Sequence, residues 1–510
     1  MTLPIDPPED DAVTDDERLR RLGYTNQFKR DMGPWANFAL GFTFLSPVVG
    51  IYVTFGISLA AGGPPMVWTL VIAGAGQLLV SLVFGEIVSQ YPVAGGIYPW
   101  ARRLWGRRWA WLTGWIYMMA LFASMASLAY GAAPYICALL GIEHTNASSV
   151  IVGLALLALS TGINFLGTDA LALVARLGFV AELAGALAVG GWLLLTARHH
   201  NFSVLFDSFG AGSPDAYIWA FLAAGLIGVY QYYGFEACGD VAEEVPDPSR
   251  RIPKTMRMTI YVGGAAAIFV TIALTLSVTD FGAVIRGEDA DPINTILESV
   301  FGGVGSRIVL AVVLISFISC GLSLQAAASR LLYSYARDGM IGASTALKRI
   351  SPTRRVPLLA LSIAGLVPAL VLMITFVSTD TLAKIVSFAT AGIYLCFQMV
   401  VLAALRARLK GWRPLGPFTL GRWGMVVNLL ALMWGVGAIT NMIWPRMPDA
   451  SWIDNNIVSV MLIVVIAVGT VYMLVSGRAE RSDAPFGDAI PKRSGGPGSR
   501  SLLGQRPDHH

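Results

Sequence analysis

The segment YYGFEACGDVAEEVPDPSRRIP, residues 232–253, carries four carboxylates inside a strongly apolar part of the chain. They are Glu236, Asp240, Glu243 and Glu244. An ionised carboxylate is costly inside a bilayer, so such groups pair with one another or mark a substrate or ion pathway. The last two stand beside the basic end of the segment, and we expect them to be solvated or paired with Arg250 and Arg251.

Glu236 stands furthest from that polar end, so it is expected to lie deepest in the membrane. It follows Gly234 closely and precedes Gly239, and glycine weakens a helix. Two interpretations remain open. Glu236 belongs to a substrate or gating site, or it makes a purely structural hydrogen bond.

A second acid, Glu182, stands in the apolar run LVARLGFVAELAGALAVG. Arg176 precedes it by six positions, a spacing that does not place the two on one helical face. A lone acid in an apolar helix is a candidate functional residue. Glu182 is therefore predicted to be a protonation site, or else one half of a structural pair whose partner lies elsewhere.

The composition identifies the class of protein that must position these acids. The chain has 510 residues, of which 55% are hydrophobic and 13% charged, with a mean hydropathy of +0.63. A soluble protein carries roughly 25% charged residues. No HExxH or GxSxG motif indicates an enzyme, no basic stripe indicates nucleic acid binding, and the four cysteines are too widely spaced for a metal site. We therefore predict an integral membrane protein.

Apolar runs long enough to cross a bilayer, about 20 residues each, recur along the chain. Lipid tolerates only helices or closed barrels, and these runs are too long for barrel strands. The prediction is an all-α integral membrane protein with twelve transmembrane helices. The segments are 34–60, 66–89, 110–140, 149–167, 170–197, 216–243, 256–279, 304–336, 357–378, 381–405, 423–444 and 454–476.

The basic residues of the connections predict the orientation. Connections after even-numbered segments hold most of the Lys and Arg, which favours the cytoplasmic side. Both termini are therefore expected in the cytoplasm and the protein in the cell membrane. Residues 1–31 form a cytoplasmic tail, 32–476 the membrane domain, and 477–510 a cytoplasmic disordered tail.

Two segments carry the residues that interrupt a helix at mid-depth. In FLSPVVGIY these are Pro47 and Gly50, and in YYGFEACG they are Gly234 and Gly239. The two segments cross the membrane in opposite directions, as corresponding helices of an inverted repeat do. We predict repeats at about 34–197 and 216–405, followed by two additional helices at about 423–476. The alternative is that neither helix is interrupted: Pro47 only kinks the first helix, and the glycines of the sixth only allow close packing.

Five stretches of this chain resemble the amino acid–polyamine–organocation permeases, within them the amino acid/choline transporter branch. They are RLRRLGYTNQFKRDMGPWANFALGFTF, FGEIVSQYPVAGGIYPWARRL, GFEACGDVAEEVPDPSRRIP, SRLLYSYARDGMI and GPFTLGRWGMVVN. The resemblance implies the LeuT-type fold of five plus five helices, with discontinuous helices 1 and 6 and alternating access.

The resemblance also implies a set of site residues. In relatives, unwound backbone in the first helix binds a substrate carboxylate through a Gly-Ser-Gly-like run. The matching positions follow Pro47 and are Val48, Val49 and Gly50, with one glycine kept. In the sixth helix the gating aromatic falls at Tyr230, and the substrate-binding set continues through Tyr233, Gly234, Phe235 and Glu236. Glu182 falls where sodium-independent relatives place a lysine.

The function implied is secondary transport of an amino acid or related small amine, with proton-coupled uptake through Glu182. Sodium stays an alternative coupling ion. The connection around Gly95 and Gly96 is expected to form the cytoplasmic gate, with hinge motion at the glycines. Exchange, or transport of choline, polyamine or γ-aminobutyrate, stays open, and a membrane enzyme or nutrient sensor is disfavoured. The resemblance implies no cofactor and no metal. The expected partners are a small-molecule substrate and lipid. The sequence specifies neither the substrate nor the oligomeric state.

Overall fold

The structure is a computed structural model that describes residues 14–374, 381–446, 450–485 and 489. In this part of the chain the regular structure is helical, without β strands. The α helices, in chain order, are α1 (Asp15–Arg21), α2 (Pro34–Leu45), α3 (Pro47–Gly62), α4 (Val67–Gln90), α5 (Ile97–Leu104), α6 (Arg107–Gly131), α7 (Ala133–Leu140), α8 (Asn146–Asn164), α9 (Thr168–Thr196), α10 (Tyr217–Ala224), α11 (Leu226–Gln231), α12 (Ala237–Asp240), α13 (Pro248–Ser277), α14 (Phe281–Ile285), α15 (Pro292–Arg337), α16 (Ser344–Leu347), α17 (Leu358–Ile374), α18 (Thr381–Leu409), α19 (Gly424–Ile443), α20 (Trp452–Asn455) and α21 (Ile457–Ser476).

Within the described residues, ten helical stretches are long and apolar enough to cross a membrane. They are Pro34–Gly62, Pro64–Gln90, Arg107–Leu140, Asn146–Asn164, Thr168–Thr196, Pro248–Ser277, Pro292–Arg337, Leu382–Leu409, Gly421–Ile443 and Ile457–Ser476. Two shorter apolar helices, Tyr217–Gln231 and Leu358–Met373, coincide with the other two predicted segments. The protein is thus an all-α, multi-pass membrane protein.

The interrupted helices lie at the centre of the bundle. Nearly every residue of α2 is buried, and α2 packs against α9, α13 and α15. Helices α11 and α12 lie against α3, α4 and α2, while α18 packs along α6 and α19. Helix α21 lies at the periphery, and only Leu462 and Gly469 of its residues are buried. The outer helices therefore hold the two interruptions in the buried interior of the bundle.

The longest helix, α15, begins at Pro292. Asp291 caps it by accepting a hydrogen bond from the Asn294 N–H at 3.3 Å, and Pro292 occupies the first turn, where its missing N–H costs nothing. Gly302, with φ of 64°, kinks the helix. A short helix before Gly302 thus runs directly into the eighth predicted span, and α15 ends at Arg337.

Of the predicted C-terminal tail, the structure describes residues 477–485 and 489, and residues 490–510 lie outside the described part of the chain. Residues 478–485 lie against the rest of the protein, and Ala479, Ser482 and Ala484 are buried. The Ser482 hydroxyl donates to the Asp338 carbonyl at 2.8 Å. Backbone and side-chain hydrogen bonds to Asp338 thus hold the beginning of the predicted tail against the membrane domain.

Candidate functional site

The first span is interrupted at Ser46, which lies between α2 and α3 with φ of 41° and ψ of 93°. Its hydroxyl oxygen accepts the Val49 N–H at 3.1 Å, which makes Ser46 the N-cap of α3. Pro47 then fills the first helical position. The serine and proline together end one half-helix and begin the next within a single residue.

Glu182 of α9 lies directly at this interruption. Its Oε1 accepts the Ser46 hydroxyl at 2.5 Å and the Val48 N–H at 2.9 Å. The side chain is fully buried, and Oε2 has no hydrogen-bond partner among the described residues. The carboxylate thus accepts a hydrogen bond from an amide at the positive end of a half-helix, where negative charge is stabilised. Its second oxygen is available to another ligand.

The expectation of unwound backbone from Val48 to Gly50 needs correction. These residues and Pro47 form the first turn of α3, and Ser46 alone has non-helical torsion angles. The N–H groups of this turn already have partners in this conformation. Val48 donates to Glu182, Val49 to the Ser46 hydroxyl oxygen, and Gly50 to the Ser46 carbonyl at 2.9 Å. The Ser-Pro pair in the sequence was the signal for a capped helix start.

The second interruption covers residues 232–236, between α11 and α12. Gly234 has φ of 110° and donates its N–H to Glu236 Oε2 at 2.7 Å. The Tyr117 hydroxyl donates to the other oxygen, Oε1, at 3.1 Å. Glu236 is buried, and both of its oxygens have protein partners. These contacts favour the structural hydrogen-bond interpretation of Glu236 in this conformation.

Gln231 connects the two interruptions and was missed from the sequence. Its Nε2 donates to the Leu45 carbonyl at 3.2 Å, and its Oε1 has no partner among the described residues. A Cβ on Gly50 would collide with this carboxamide, so glycine is required there for the close approach. The search for ionisable residues passed over Gln231, although it immediately precedes the predicted interruption.

The predicted aromatic residues separate into two groups. The Tyr230 and Tyr233 rings meet edge-on at 5.4 Å between centroids, and the Tyr233 ring lies 6.1 Å from that of Phe44, at the end of α2. Phe235 instead packs at 5.5 Å against Phe397 of α18. Tyr230 and Tyr233 therefore border the first interruption, whereas Phe235 belongs to the core on another side.

Gly95 and Gly96 contact the end of the sixth span. The Gly95 N–H donates to the Asp240 carbonyl at 2.9 Å, and the φ angles of the two glycines are 87° and 35°. A Cβ on Gly96 would lie 2.5 Å from Asp240 Oδ1. Both glycines thus permit a left-handed turn and a close approach to α12.

Glu243 and Glu244 are neither solvated nor paired with Arg250 and Arg251, so that expectation was wrong. Glu244 pairs with Arg330 at 2.8 Å, and both side chains are 1% exposed. Glu243 accepts from Arg337 at 2.8 Å and also from the Ala94 N–H at 3.0 Å. The chain after α12 runs along α15 rather than away from the protein. Glu243 and Glu244 therefore contact Arg337 and Arg330 of α15. These pairs link the end of the sixth span to the glycine connection.

The N-terminal segment, α5 and the C-terminal segment meet at Asp338, just after α15. Its Oδ2 accepts the Tyr24 hydroxyl at 3.1 Å and the Tyr98 hydroxyl at 2.7 Å. Burial raises the pKa of Asp338 above its ordinary value, and the charge of Arg337 opposes that rise. Buried ion pairs and hydrogen bonds therefore hold the end of α15 against the chain after α12 and against the glycine connection.

The described residues hold no group of three or more His, Cys, Asp or Glu side chains that could bind a metal ion. The site is built instead from two interrupted helices, two buried carboxylates, a glutamine and two tyrosines. Broken helices near the membrane centre expose backbone groups that bind ions and small molecules.

Comparisons with known proteins place this arrangement in a family. The sequence model described as amino acid permease matches residues 32–474. The amino-acid permease BAT1 of Arabidopsis thaliana is 26% identical over 446 residues, which cover 82% of this chain and 86% of that protein. Its homolog in Oryza sativa subsp. japonica is 27% identical over 456 residues, with 83% and 86% covered.

Solved structures show the same fold at much lower sequence identity. A crystal structure of a variant of the Eremococcus coleocola manganese transporter has a TM-score of 0.60 at 13% identity, covering 94% of this chain and 97% of that one. The same transporter in complex with an aromatic bis-isothiourea compound gives 0.58 at 14% identity. The protein is therefore a transporter and not an enzyme, and it belongs to the amino acid permease family.

Proposed function

We propose that this permease is a secondary active transporter that takes up an amino acid or a related small amine together with a proton. The observation that carries the proposal is the position of Glu182 at the Ser46 interruption, with Oε1 bonded to the half-helix and Oε2 without a partner. A proton on this carboxylate weakens its acceptance from Ser46 and Val48. Protonation is thereby linked to the geometry of the first span. Sodium is the alternative ion, with Oε2 as an oxygen ligand.

The substrate site is proposed between the two interruptions. It comprises Pro47, Val48, Val49 and Gly50 with Tyr230, Tyr233 and Gly234, and we add Gln231 because its Oε1 has no partner among the described residues. Phe235 and Glu236, which the sequence also assigned to this set, contact Phe397 and Tyr117 in this conformation and reach a substrate only when those contacts break. An amide oxygen without a partner in a buried position favours a donor on the ligand, such as an ammonium group.

One observation favours a second candidate, transport of amines that lack an α-carboxylate. The N–H groups of Val48, Val49 and Gly50 all have partners, so capture of a carboxylate there requires their displacement. An amine such as choline, a polyamine or γ-aminobutyrate can bind through its cationic group without that cost. Amino acid exchange remains the alternative to net uptake.

The proposal includes the architecture that this mechanism needs. The ten long helices and the two shorter apolar ones make twelve spans, with inverted repeats at about 34–197 and 216–405 and two further helices at about 423–476. Both termini lie in the cytoplasm, and the protein lies in the cell membrane, with 1–31 and 477–510 outside the 32–476 domain. Gly95 and Gly96, held against Asp240, form the cytoplasmic gate, and alternating access breaks those contacts.

Transport into proteoliposomes tests the function. A labelled panel of neutral, acidic and basic amino acids, γ-aminobutyrate, choline and putrescine is supplied with and without an inward proton gradient. We expect gradient-driven accumulation of at least one amino acid or amine, and counterflow with preloaded vesicles separates net uptake from exchange. Accumulation driven by sodium alone would contradict proton coupling, and transport of none of the panel would contradict the substrate class.

A further inference from the structure

A groove of about 390 Å³ separates the start of α2 from the first turns of α13. On α2 it is lined by Pro34, Trp35 and Phe38, and on α13 by Arg251, Lys254 and Met258. Residues three, four and seven positions apart share one helical face, so the two basic residues and Met258 point the same way. The groove is therefore a built feature of two facing helices rather than a chance cluster in a loop.

Two cations, Arg251 and Lys254, line the groove. Neither the Arg251 guanidinium nor the Lys254 ammonium makes a hydrogen bond or ion pair with a described residue. Arg257, two turns from the start of the same helix, shows the contrast. Its Nε donates to the Pro253 carbonyl at 3.0 Å, and its guanidinium lies 4.6 Å from the Phe418 ring centroid. Among the described residues, therefore, nothing occupies the donors of Arg251 and Lys254, and they are available to an anionic ligand.

The rest of the groove is apolar except for Thr255, whose hydroxyl donates to Asn37 Oδ1 at 2.7 Å. The Trp35 side chain is 66% exposed, which is unusual for tryptophan in a protein core and typical of a membrane interface. Phe38 and Met258 lie one turn further along their helices, toward the apolar middle of the span. A ligand that fills the groove must therefore combine an anionic group with an apolar chain.

We propose that this groove binds an anionic glycerophospholipid, with its phosphate at Arg251 and Lys254 and its first acyl carbons along Trp35, Phe38 and Met258. Basic pockets between transmembrane helices recognise such headgroups, and each CH₂ group of the lipid that is buried adds to its binding. The same lipid contacts α2, the half-helix that ends at Ser46. Occupancy of the groove by lipid is thereby linked to the position of the first membrane span.

Native mass spectrometry of the purified full-length protein with added dioleoyl phosphatidylglycerol tests the proposal, and it needs no transport. We expect lipid adducts on the wild type and a loss of roughly tenfold or more in affinity in the Arg251→Gln/Lys254→Gln variant. The matched control is Arg413→Gln/Arg422→Gln, which removes the same charge from the connection between α18 and α19. Arg413 and Arg422 line a separate pocket of about 390 Å³ that has a more polar lining, and we expect the control to keep the adducts.

Three outcomes would overturn the proposal. Equal loss of adducts in the control would mean general attraction of basic residues to anionic lipid. Unchanged adducts in the Arg251→Gln/Lys254→Gln variant would place the lipid elsewhere. Displacement of the lipid by inorganic phosphate or glycerol phosphate at similar concentrations would mean a site for a soluble anion. Trp35→Ala should weaken lipid binding without changing phosphate binding.

If the Arg251→Gln/Lys254→Gln variant fails to fold, a fluorescence measurement on the wild type tests the proposal instead. Brominated phosphatidylglycerol should quench tryptophan emission more strongly than brominated phosphatidylcholine at the same mole fraction. That difference should disappear in Trp35→Phe, which keeps an aromatic ring. Equal quenching by the two lipids, or a difference that persists in Trp35→Phe, would contradict an anionic lipid at this groove.

Discussion

Glu182 and Ser46 face each other across the interruption of the first span, although they lie 136 positions apart in the sequence, with the Ser46 hydroxyl donating to Glu182 Oε1 at 2.5 Å. The same serine caps α3 through the Val49 N–H. One hydroxyl therefore joins the start of a half-helix to the buried acid of α9. Any change in the protonation of Glu182 acts first on this contact.

Ser46→Ala removes the hydroxyl that caps α3 and binds Glu182. Loss of a helix N-cap costs about 0.5–2 kcal/mol in the free energy of unfolding. We expect a lower thermal unfolding midpoint and weaker gradient-driven accumulation in the same preparation. The control is Ser362→Ala, an exposed serine whose hydroxyl donates to the Leu358 carbonyl of its own helix. Equal behaviour of the two variants would contradict the capping role of Ser46.

Gly50→Ala places a methyl group against the carboxamide of Gln231. Overpacking of a tight interior costs about 1–3 kcal/mol, so the variant should lose stability and substrate uptake. Gln231→Ala in the same chain makes room and should restore stability in part, while uptake stays low if Gln231 contacts substrate. Thermal unfolding and uptake are measured on both variants.

The control for this pair is Gly162→Ala in α8, where a Cβ would meet nothing within 4 Å. It should unfold at the wild-type temperature and transport normally. A Gly50→Ala variant as stable and active as Gly162→Ala would show that the two interruptions are not in close contact.

Arg330→Gln removes the charged partner that α15 supplies to the buried carboxylate of Glu244. Removal of one member of a buried ion pair costs about 3–5 kcal/mol because the other charge stays buried. We expect a large fall in the unfolding midpoint. Arg286→Gln is the comparison, because Arg286 and Glu288 form an exposed pair, and exposed pairs contribute little. A midpoint unchanged by Arg330→Gln would mean that Glu244 is held by Thr168 alone.

The sequence predicted the interrupted spans because proline and glycine act locally on the helix that contains them. Glu182 and Glu236 were found for a similar reason, since an acid in an apolar run is visible without a structure. The residues that complete the site were harder to find. Ser46 was overlooked beside the more conspicuous Pro47, and Gln231 because it carries no charge.

Partners distant in the chain could not be predicted from local pattern. Glu244 and Arg330 are 86 positions apart and Glu243 and Arg337 are 94 positions apart, so nearby Arg250 and Arg251 were the natural but wrong choice. Only the packing of α12 against α15 decides between them. The charge asymmetry of the connections was visible in the sequence, whereas the burial of these arginines was not.

Proton-driven accumulation by wild type and Glu182→Gln, compared in the same proteoliposomes, tests the central claim most directly. Glutamine keeps the shape of the side chain and an oxygen to accept from Ser46 and Val48, but it cannot release a proton. The account predicts that Glu182→Gln loses accumulation driven by an inward proton gradient and retains exchange at equilibrium. Normal accumulation by Glu182→Gln would show that Glu182 is a structural cap and that the proton couples elsewhere.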